Sequence, residues 1–556
     1  MVLLGISDSH DAAVVIIQNG NIVCAVSEER FSRRKRQQGF PIHSLQYIKN
    51  TFTTKIDSVH VATKSGRALF RWCDTLYTNS PSLKNVLSPT SRLAYFYENI
   101  VASLPILRTI DEWLSRICLK RRLSALGFTF NELIFINHHV AHIVSSMHGL
   151  QSNHFIAVSL DAYGDGKSGL LIYCRDNKVI KKVEISYRNS IAMVYGTLTS
   201  YLGFTEGDEG KVMALAAYGH NTQCRSHFES LFSIQNGQLH VDHRFMKRKF
   251  QKLLSVFSKE DIAYALQETI EDVIIRLIKS ILPDVDSDSH PDLFLAGGLF
   301  ANVRVNQKLN QTGYFQNVFV NPCMNDGGTA FCALHRTNGE QYKTSRSITH
   351  MFLGPRYNDY QIRNVLNAFD VSYRYEKDIE ATIADLLSQG YAVARFAGSM
   401  EFGPRALGNR SILCATNDVT VQKWLNEKLG RDDFMPFAAV TLDEYKNDCY
   451  TRLENASYLY PFMTSTFYCT SMMKIQSPNV VHVDETVRAQ IVTKENNPSL
   501  YRILSLYYSK TNIPSLLNTS FNLHGEPIVC TPRDALNTFH TLKLDYLVME
   551  NYIIKN

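Results

Sequence analysis

The feature that most constrains this chain is the segment His138-His139-Val140-Ala141-His142. On a helix, positions i and i+4 share one face, so the imidazoles of His138 and His142 can reach one divalent metal ion. Two imidazoles leave such a site incomplete, and a harder carboxylate suits the third place. The best candidate lies far along the chain, in Asn325-Asp326-Gly327-Gly328-Thr329, where two glycines let the backbone bend closely around a ligand. A metal held by His138, His142 and Asp326 ties these distant segments together. That points to metal-assisted group transfer rather than a zinc staple. The competing reading of a bare HxxxH is imidazoles that pack or cap a helix. A metallopeptidase would need a glutamate inside the motif, and position 139 is His.

With 556 residues, several domains are expected. An apolar share of 45% and a charged share of 20% are those of a globular protein. No uncharged apolar run reaches about eighteen residues, so no membrane helix is expected. The opening Met1-Val2-Leu3-Leu4 lacks a charged lead and meets Asp8, His10 and Asp11 too early for a signal peptide. Eleven cysteines without a CxxC pair fit a reducing cytoplasm, and a cytoplasmic location is expected. The net charge of +6 is modest, and Arg33–Arg36, Lys120–Arg122 and Lys247–Lys249 read first as solvated faces. They could also draw in phosphorylated or nucleic-acid substrates. No nucleic-acid module accompanies them, so nucleic acid is not the expected partner. A homodimer is compatible with the chain.

Leu3–Ile6, Ala12–Gln18 and Ile22–Val26 read as strands, with a hairpin turn at Asn19-Gly20-Asn21. The polar turn Ser7–Asp11 between the first two is typical of actin-like ATPase folds, where it contacts nucleotide phosphates. Ile156–Leu160, the turn Asp161–Gly169 and Leu170–Tyr173 repeat the pattern. The repetition suggests two related halves facing one cleft. Residues 64–130 read as helical and irregular, an insertion or recognition region. A helix is expected over Asp261–Leu282, with a Ser258/Asp261 capping box and Pro283 ending it. Leu293–Ala296 then enters the Gly297-Gly298 turn, with a helix from Ala301 to Leu309. A domain boundary falls between Ala333 and Met351, giving domains 1–345 and 350–556.

Several segments together resemble one family. In the first domain they are Gly5-Ile6-Ser7 with His10-Asp11, Ser27–Phe31 with Gly39-Phe40-Pro41, His138–His142, Glu209–Ala216 with Tyr218-Gly219, and Ala296-Gly297-Gly298. In the second they are Met400–Ile412, Met435–Ala438 and Leu517–Asn522 with Gly525-Glu526-Pro527. The family is the ATP-dependent O-carbamoyltransferases of the nodulation, cephamycin and tobramycin type. The resemblance implies an α/β protein in two parts. The first would be an actin-like ATPase domain similar to the tRNA threonylcarbamoyl transferases. It would carry a divalent metal, usually iron, on the positions His138, His142 and Asp326. The second would be a YrdC-like twisted α/β domain, joining carbamoyl phosphate to ATP, with Mg, as carbamoyl adenylate. A hydroxyl of a small-molecule acceptor, such as a natural product or sugar, would then take the carbamoyl group.

The residue types suit that chemistry, since phosphate-rich substrates need fixed cations and backbone donors. Arg405 and Arg410 lie in a glycine-punctuated segment, with Lys428, Arg431, Arg488 and Arg533 as further cations. Asn518, Ser520 and Asn522 alternate as one edge of an extended strand would. In the first domain, Asp161, Gly164 and Gly166, with Gly297, Gly298 and Asn302, would cradle the nucleotide. His10, Asp11, Asp208 and Glu209, beside Lys211, are candidates for the acid–base work on the acceptor. His139 faces elsewhere and reads as a support. Ala439, Ala162 and Ala301-Asn302 depart from the family pattern and argue against carrying over acceptor preference. Two other readings are a tRNA threonylcarbamoyl transferase and a non-catalytic ATP-binding sensor. The second domain weighs against the former, and the metal ligands and arginines against the latter.

Overall fold

Apolar alternation broken by a polar turn makes the N-terminus a meander. Strands β1 (Val2–Ser7) and β2 (Ala13–Gln18) pair antiparallel with Ser7 opposite Ala13, and β3 (Asn21–Ser27) returns along β2. The chain then crosses over to β4 (Lys55–Ala62), parallel to β1, and to β5 (Thr129–Ile136), parallel to β4. In this computed structural model the described residues are all of 1–556 except 53, 65–67, 69, 70, 72–96, 98, 99, 102, 103, 148–150, 206, 236, 245, 283–289, 336–347 and 433. Leu4, Ile6, Val14 and Ile16 are buried against Leu45 and Ile48 of the helix Ile42–Thr51 and Leu119 and Leu123 of the helix Pro105–Ala125. Each such side chain contributes about 1.5–3 kcal/mol by leaving water.

The second strand-turn-strand builds an equivalent sheet. It contains β6 (His154–Gly164), β7 (Lys167–Arg175) and β8 (Lys178–Ser186). A separate hairpin, β9 (Phe232–Gln235) and β10 (Gln238–Val241), precedes β11 (Asp292–Ala296) and β12 (Val318–Val320). The two sheet orders, β3-β2-β1-β4-β5 and β12-β11-β6-β7-β8, are the same order read from opposite edges. In each, three antiparallel strands are followed by two parallel crossover strands. This is the duplicated actin-like arrangement that the two turns suggested.

Local expectations are adjusted in four places. Strands β4 and β5 were not expected, and β5 closes the stretch read as helical. Most of 65–103, where a recognition region was expected, lies outside the described residues, as do 336–347 at the expected boundary. The long helix runs Lys259–Lys279; Ser258 Oγ accepts from Asp261 N (3.1 Å). The Asp261 carboxylate accepts instead from the N–H groups of His220 and Asn221, so only half the capping box forms. After Gly297 a 3₁₀ turn (Gly298–Ala301) delays the next helix to Val303–Gln311, capped by Asn302.

By internal contacts the chain divides into Met1–Ser32 with Arg36–Ile348, and Arg33–Lys35 with Thr349–Asn556. The second unit is built on one mixed sheet. Its strands are β13 (Arg374–Tyr375), β14 (Val393–Phe396), β15 (Arg410–Cys414), β16 (Ala438–Leu442) and β17 (Tyr450–Thr451). They continue with β18 (Phe467–Cys469), β19 (Thr486–Val492), β20 (Ser515–Ser520), β21 (Tyr546–Met549) and β22 (Tyr552–Lys555). The order is β13-β22-β21-β14-β15-β20-β16-β19-β18-β17. Ile383 and Leu387 of one helix and Leu500, Ile503 and Leu504 of another bury the sheet's Val393, Val440 and Leu516. This is the mixed α/β architecture expected of a YrdC-like domain. The ten described cysteines are buried and form no disulfide with one another, and no described helix is long and apolar enough to cross a membrane.

His60 in β4 is buried, shares one hydrogen bond between its Nε2 and Ser58 Oγ (2.9 Å), and leaves Nδ1 without a partner. Burial, then the nearby His335, push its pKa from 6.5 down to about 4. The proton therefore prefers the unfolded chain, so the contribution is full above about pH 6.5 and is lost as pH falls toward 4. Unfolding of wild type and His60→Gln at about pH 8 and about pH 4.5 should show the wild type losing on the order of 2–3 kcal/mol more on acidification. Equal losses would contradict a neutral buried His60.

Candidate active site

Three segments converge in the first unit. Asn137 caps the helix His138–Ser146 by accepting from His139 N (3.1 Å) and Val140 N (3.3 Å). His138 and His142 thus project one turn apart, with ring centroids 4.7 Å from each other. Asp161 lies where the pairing of β6 with β7 slips between Leu160 and Gly164. Asp326 opens a 3₁₀ segment, Asp326–Leu334. His142 Nε2 lies 3.2 Å from Asp161 Oδ2 and 3.4 Å from Asp326 Oδ1, and His138 Nε2 lies 3.5 Å from Asp326 Oδ1. One ligand atom from each of the four residues falls within 4.8 Å of all the others.

These residues fit a divalent metal. Both Nε2 atoms are buried, make no aligned hydrogen bond and face carboxylate oxygens, so the set can hold a cation in place of a proton. Gly164 makes the room: a Cβ there would stand 2.0 Å from His138 Cδ2. Burial opposes ionising Asp326, but His138 and His142 outweigh it and hold the carboxyl well below the usual range. Burial lowers the His138 imidazole despite Asp326, whereas at His142 the Asp161 and Asp326 carboxylates overcome burial and lift it to about 9. Supporting groups surround the four. Ser9 Oγ donates to Asp326 Oδ2 (2.9 Å), and His138 N donates to Asp165 Oδ2 (2.7 Å). His139 Nδ1 meets Ser159 Oγ at 2.9 Å, the supporting place read for it.

The remaining first-unit candidates separate. The Asp11 carbonyl stands 3.1 Å from where a Gly327 Cβ would be. Burial, then Glu29 and Asp326, carry the Asp11 carboxyl up to about 7. His10 is exposed, and its charge helps keep Asp326 ionised. Asp208 and Lys211 pair with each other at 3.5 Å, and Thr205 also binds Asp208. Gly166 shares the tight turn with Asp165. Gly297 has φ +99°, and a Cβ there would lie 2.2 Å from the Leu160 carbonyl oxygen. Gly298 N donates to Asp161 Oδ2 (3.2 Å). The glycine pair therefore packs on β6 at Leu160 and holds the Asp161 carboxylate. The Asn302 amide is occupied by its helix cap and a two-way pairing with Gln267 (2.9 and 3.1 Å).

In the second unit, Arg405, Arg431 and Arg488 share one recess. All three are half-buried, and the Nε atoms of Arg405 and Arg488 are buried without a hydrogen-bond partner. Arg431 stacks over Phe437 (4.4 Å) and donates to Pro436 O. Burial lowers Arg405 and Arg431 each to about 10, with Arg405 adding to the effect at Arg431. Burial, then Arg405 and Arg431, drive Arg488 further below its usual range. Asn518 sits in register across β16, with Ala438 facing both it and Arg488. Its Nδ2 reaches Gln490 Oε1 (2.8 Å), and its buried Oδ1 has no hydrogen-bond partner. Arg410 differs from Arg405: it stacks over Phe396 at 3.6 Å and donates to the carbonyls of Pro355, Ala397, Gly398 and Asn409. Lys428 lies over Trp424, Ser520 pairs with Ser411 across the sheet, and Asn522 closes its own turn onto Leu523 and Glu526.

Residues 2–334 match the family described as carbamoyltransferase N-terminus, and residues 384–556 match carbamoyltransferase C-terminus. The chain belongs to the carbamoyltransferase family. An uncharacterised protein of Methanocaldococcus jannaschii is 30% identical to this carbamoyltransferase over 99% of each chain. Nodulation protein NolNO of Sinorhizobium fredii is 29% identical over 98% of this chain and 79% of its own. Nodulation protein U of Azorhizobium caulinodans is 28% identical over 51% of this chain and 48% of its own. The carbamoyltransferase is thus an enzyme that transfers carbamoyl groups.

Reading the sequence placed Asp161 with the nucleotide and missed its approach to His142. Its position after an apolar strand, matching Asp8 after β1, was the available signal. His142→Ala and Asp161→Asn should each weaken iron or zinc binding by about tenfold or more, as read by metal content after dialysis. Unchanged content in both would exclude the four-residue metal centre.

Proposed function

We propose that this carbamoyltransferase makes carbamoyl adenylate from carbamoyl phosphate and ATP in its second unit. The carbamoyl group then goes to a hydroxyl of a small natural product or sugar at the four-residue centre of the first. The observation that carries this reading is the recess of Arg405, Arg431 and Arg488. Three like charges, two of them with a buried Nε that has no hydrogen-bond partner and the third stacked over a ring, suit a phosphate-rich ligand better than they suit solvent.

Atom balance sets the order of steps. Water takes the phosphate from carbamoyl phosphate, releasing inorganic phosphate and carbamate. A carbamate oxygen attacks the α-phosphorus of ATP, the bond to the β-phosphate breaks, and pyrophosphate leaves. The guanidiniums of Arg405, Arg431 and Arg488 hold the anionic groups and offset the charge that gathers on the leaving phosphates. Asn518 Oδ1 is free to accept from the carbamoyl amide, a donor that phosphate lacks. In the second half-reaction the acceptor hydroxyl attacks the carbamoyl carbon and AMP leaves. A divalent ion on His138, His142, Asp161 and Asp326 supplies polarisation of the carbamoyl oxygen when bound. Asp11, beside the Asp326 segment and raised to about 7, is suited to take the hydroxyl proton.

Purified enzyme should release pyrophosphate from ATP only when carbamoyl phosphate is present, before any acceptor is added. Arg488→Ala should slow that release about a hundredfold and leave bound metal unchanged. Release independent of carbamoyl phosphate, or a normal rate in both Arg405→Ala and Arg488→Ala, would overturn the reading.

A further inference from the structure

We propose that Glu401 is the residue that positions Arg405 in the arginine recess; the proposal rests on the reading of that recess as the anion site. Glu401 is only 2% exposed. Its Oε1 accepts three backbone N–H groups, from Leu407 (2.8 Å), Asn409 (2.7 Å) and Arg410 (3.1 Å). No cation ion-pairs with it among the described residues, and its other oxygen, Oε2, is buried without a hydrogen-bond partner. The carboxylate is therefore committed to the loop that follows it. The chain leaves at Glu401, carries Arg405 around the arc, and is tied back to the same oxygen at Leu407.

Such a tie is needed because the recess is repulsive. The buried Nε of Arg405 has no hydrogen-bond partner, and its charge opposes those of Arg431 and Arg488. Without restraint, a loop residue moves away from like charges toward water. Three charge-assisted hydrogen bonds to one buried carboxylate oppose that motion at the backbone, two residues beyond Arg405. Gln490 Nε2 holds the Leu407 carbonyl (2.9 Å), and Arg395 Nη1 holds the Gly408 carbonyl (2.6 Å), so the returning limb is fixed on both sides. Glu401 does not itself need to touch the anion; it acts through Arg405.

The test titrates inorganic phosphate by calorimetry into full-length wild type, Glu401→Gln, Arg405→Ala and the double variant. Gln keeps an acceptor oxygen but loses the charge. Glu401→Gln should weaken phosphate binding about tenfold in the otherwise wild-type chain and add nothing in the Arg405→Ala background. The KM for carbamoyl phosphate should rise by a similar factor with kcat for pyrophosphate release falling much less. Equal losses in both backgrounds would make Glu401 a general fold residue and overturn the proposal, as would failure of Glu401→Gln to fold. Wild-type phosphate affinity in Glu401→Gln, with affinity lost in Arg405→Ala, would overturn it while leaving the anion site intact. Wild type that binds no phosphate and releases no pyrophosphate would remove the anion-site reading itself.

Discussion

One buried and one half-buried carboxylate beside two buried imidazoles set the terms for the first unit. A charge taken out of water unpaired costs several kcal/mol, so each of the four groups depends on the other three. The surrounding details follow from that dependence. Asn137 starts the helix that carries the histidines, Asp165 and Ser9 hold its first residue and Asp326, and Gly164 yields space to an imidazole. Sheet order brings the segments together: β11 lies beside β6, and the chain beyond β12 returns with Asp326.

The duplicated halves have used corresponding positions differently. Asp8 follows β1 as Asp161 follows the regular part of β6. Asp8 is neutralised by a buried two-point pair with Arg71 (2.7 and 3.0 Å), whereas Asp161 is turned to His142. One half fixes its turn with a permanent cation, and the other leaves its carboxylate facing imidazoles. The asymmetry places the candidate chemistry on one side of a symmetric framework.

How much could be read in advance depended on whether spacing alone defined a group's surroundings. The histidines were legible because helical periodicity fixes which side chains share a face, and the twin meanders because turns punctuate apolar strands. Asp161 was not, because a slip in strand pairing turns it out of the regular alternation, and local sequence records no pairing. Strands β4 and β5 escaped because their partners lie across long connections. Arg405 and Arg410 look alike in one motif, yet four backbone carbonyls accept from the second, while the first faces the charges of Arg431 and Arg488. Asn302 read as a nucleotide contact because its Gln267 partner is set by tertiary packing, although its cap on the next helix is local.

The three-arginine recess also has an arithmetic of charge. One singly charged anion leaves two of the guanidiniums facing each other, so chloride or a lone carboxylate relieves only part of their repulsion. A phosphate ester near neutrality brings about two negative charges and several acceptor oxygens on one rigid centre. As the anion site of the proposed function, the recess would discriminate among ligands by valence before any of them is recognised by shape, and abundant monovalent ions would be weak competitors for it.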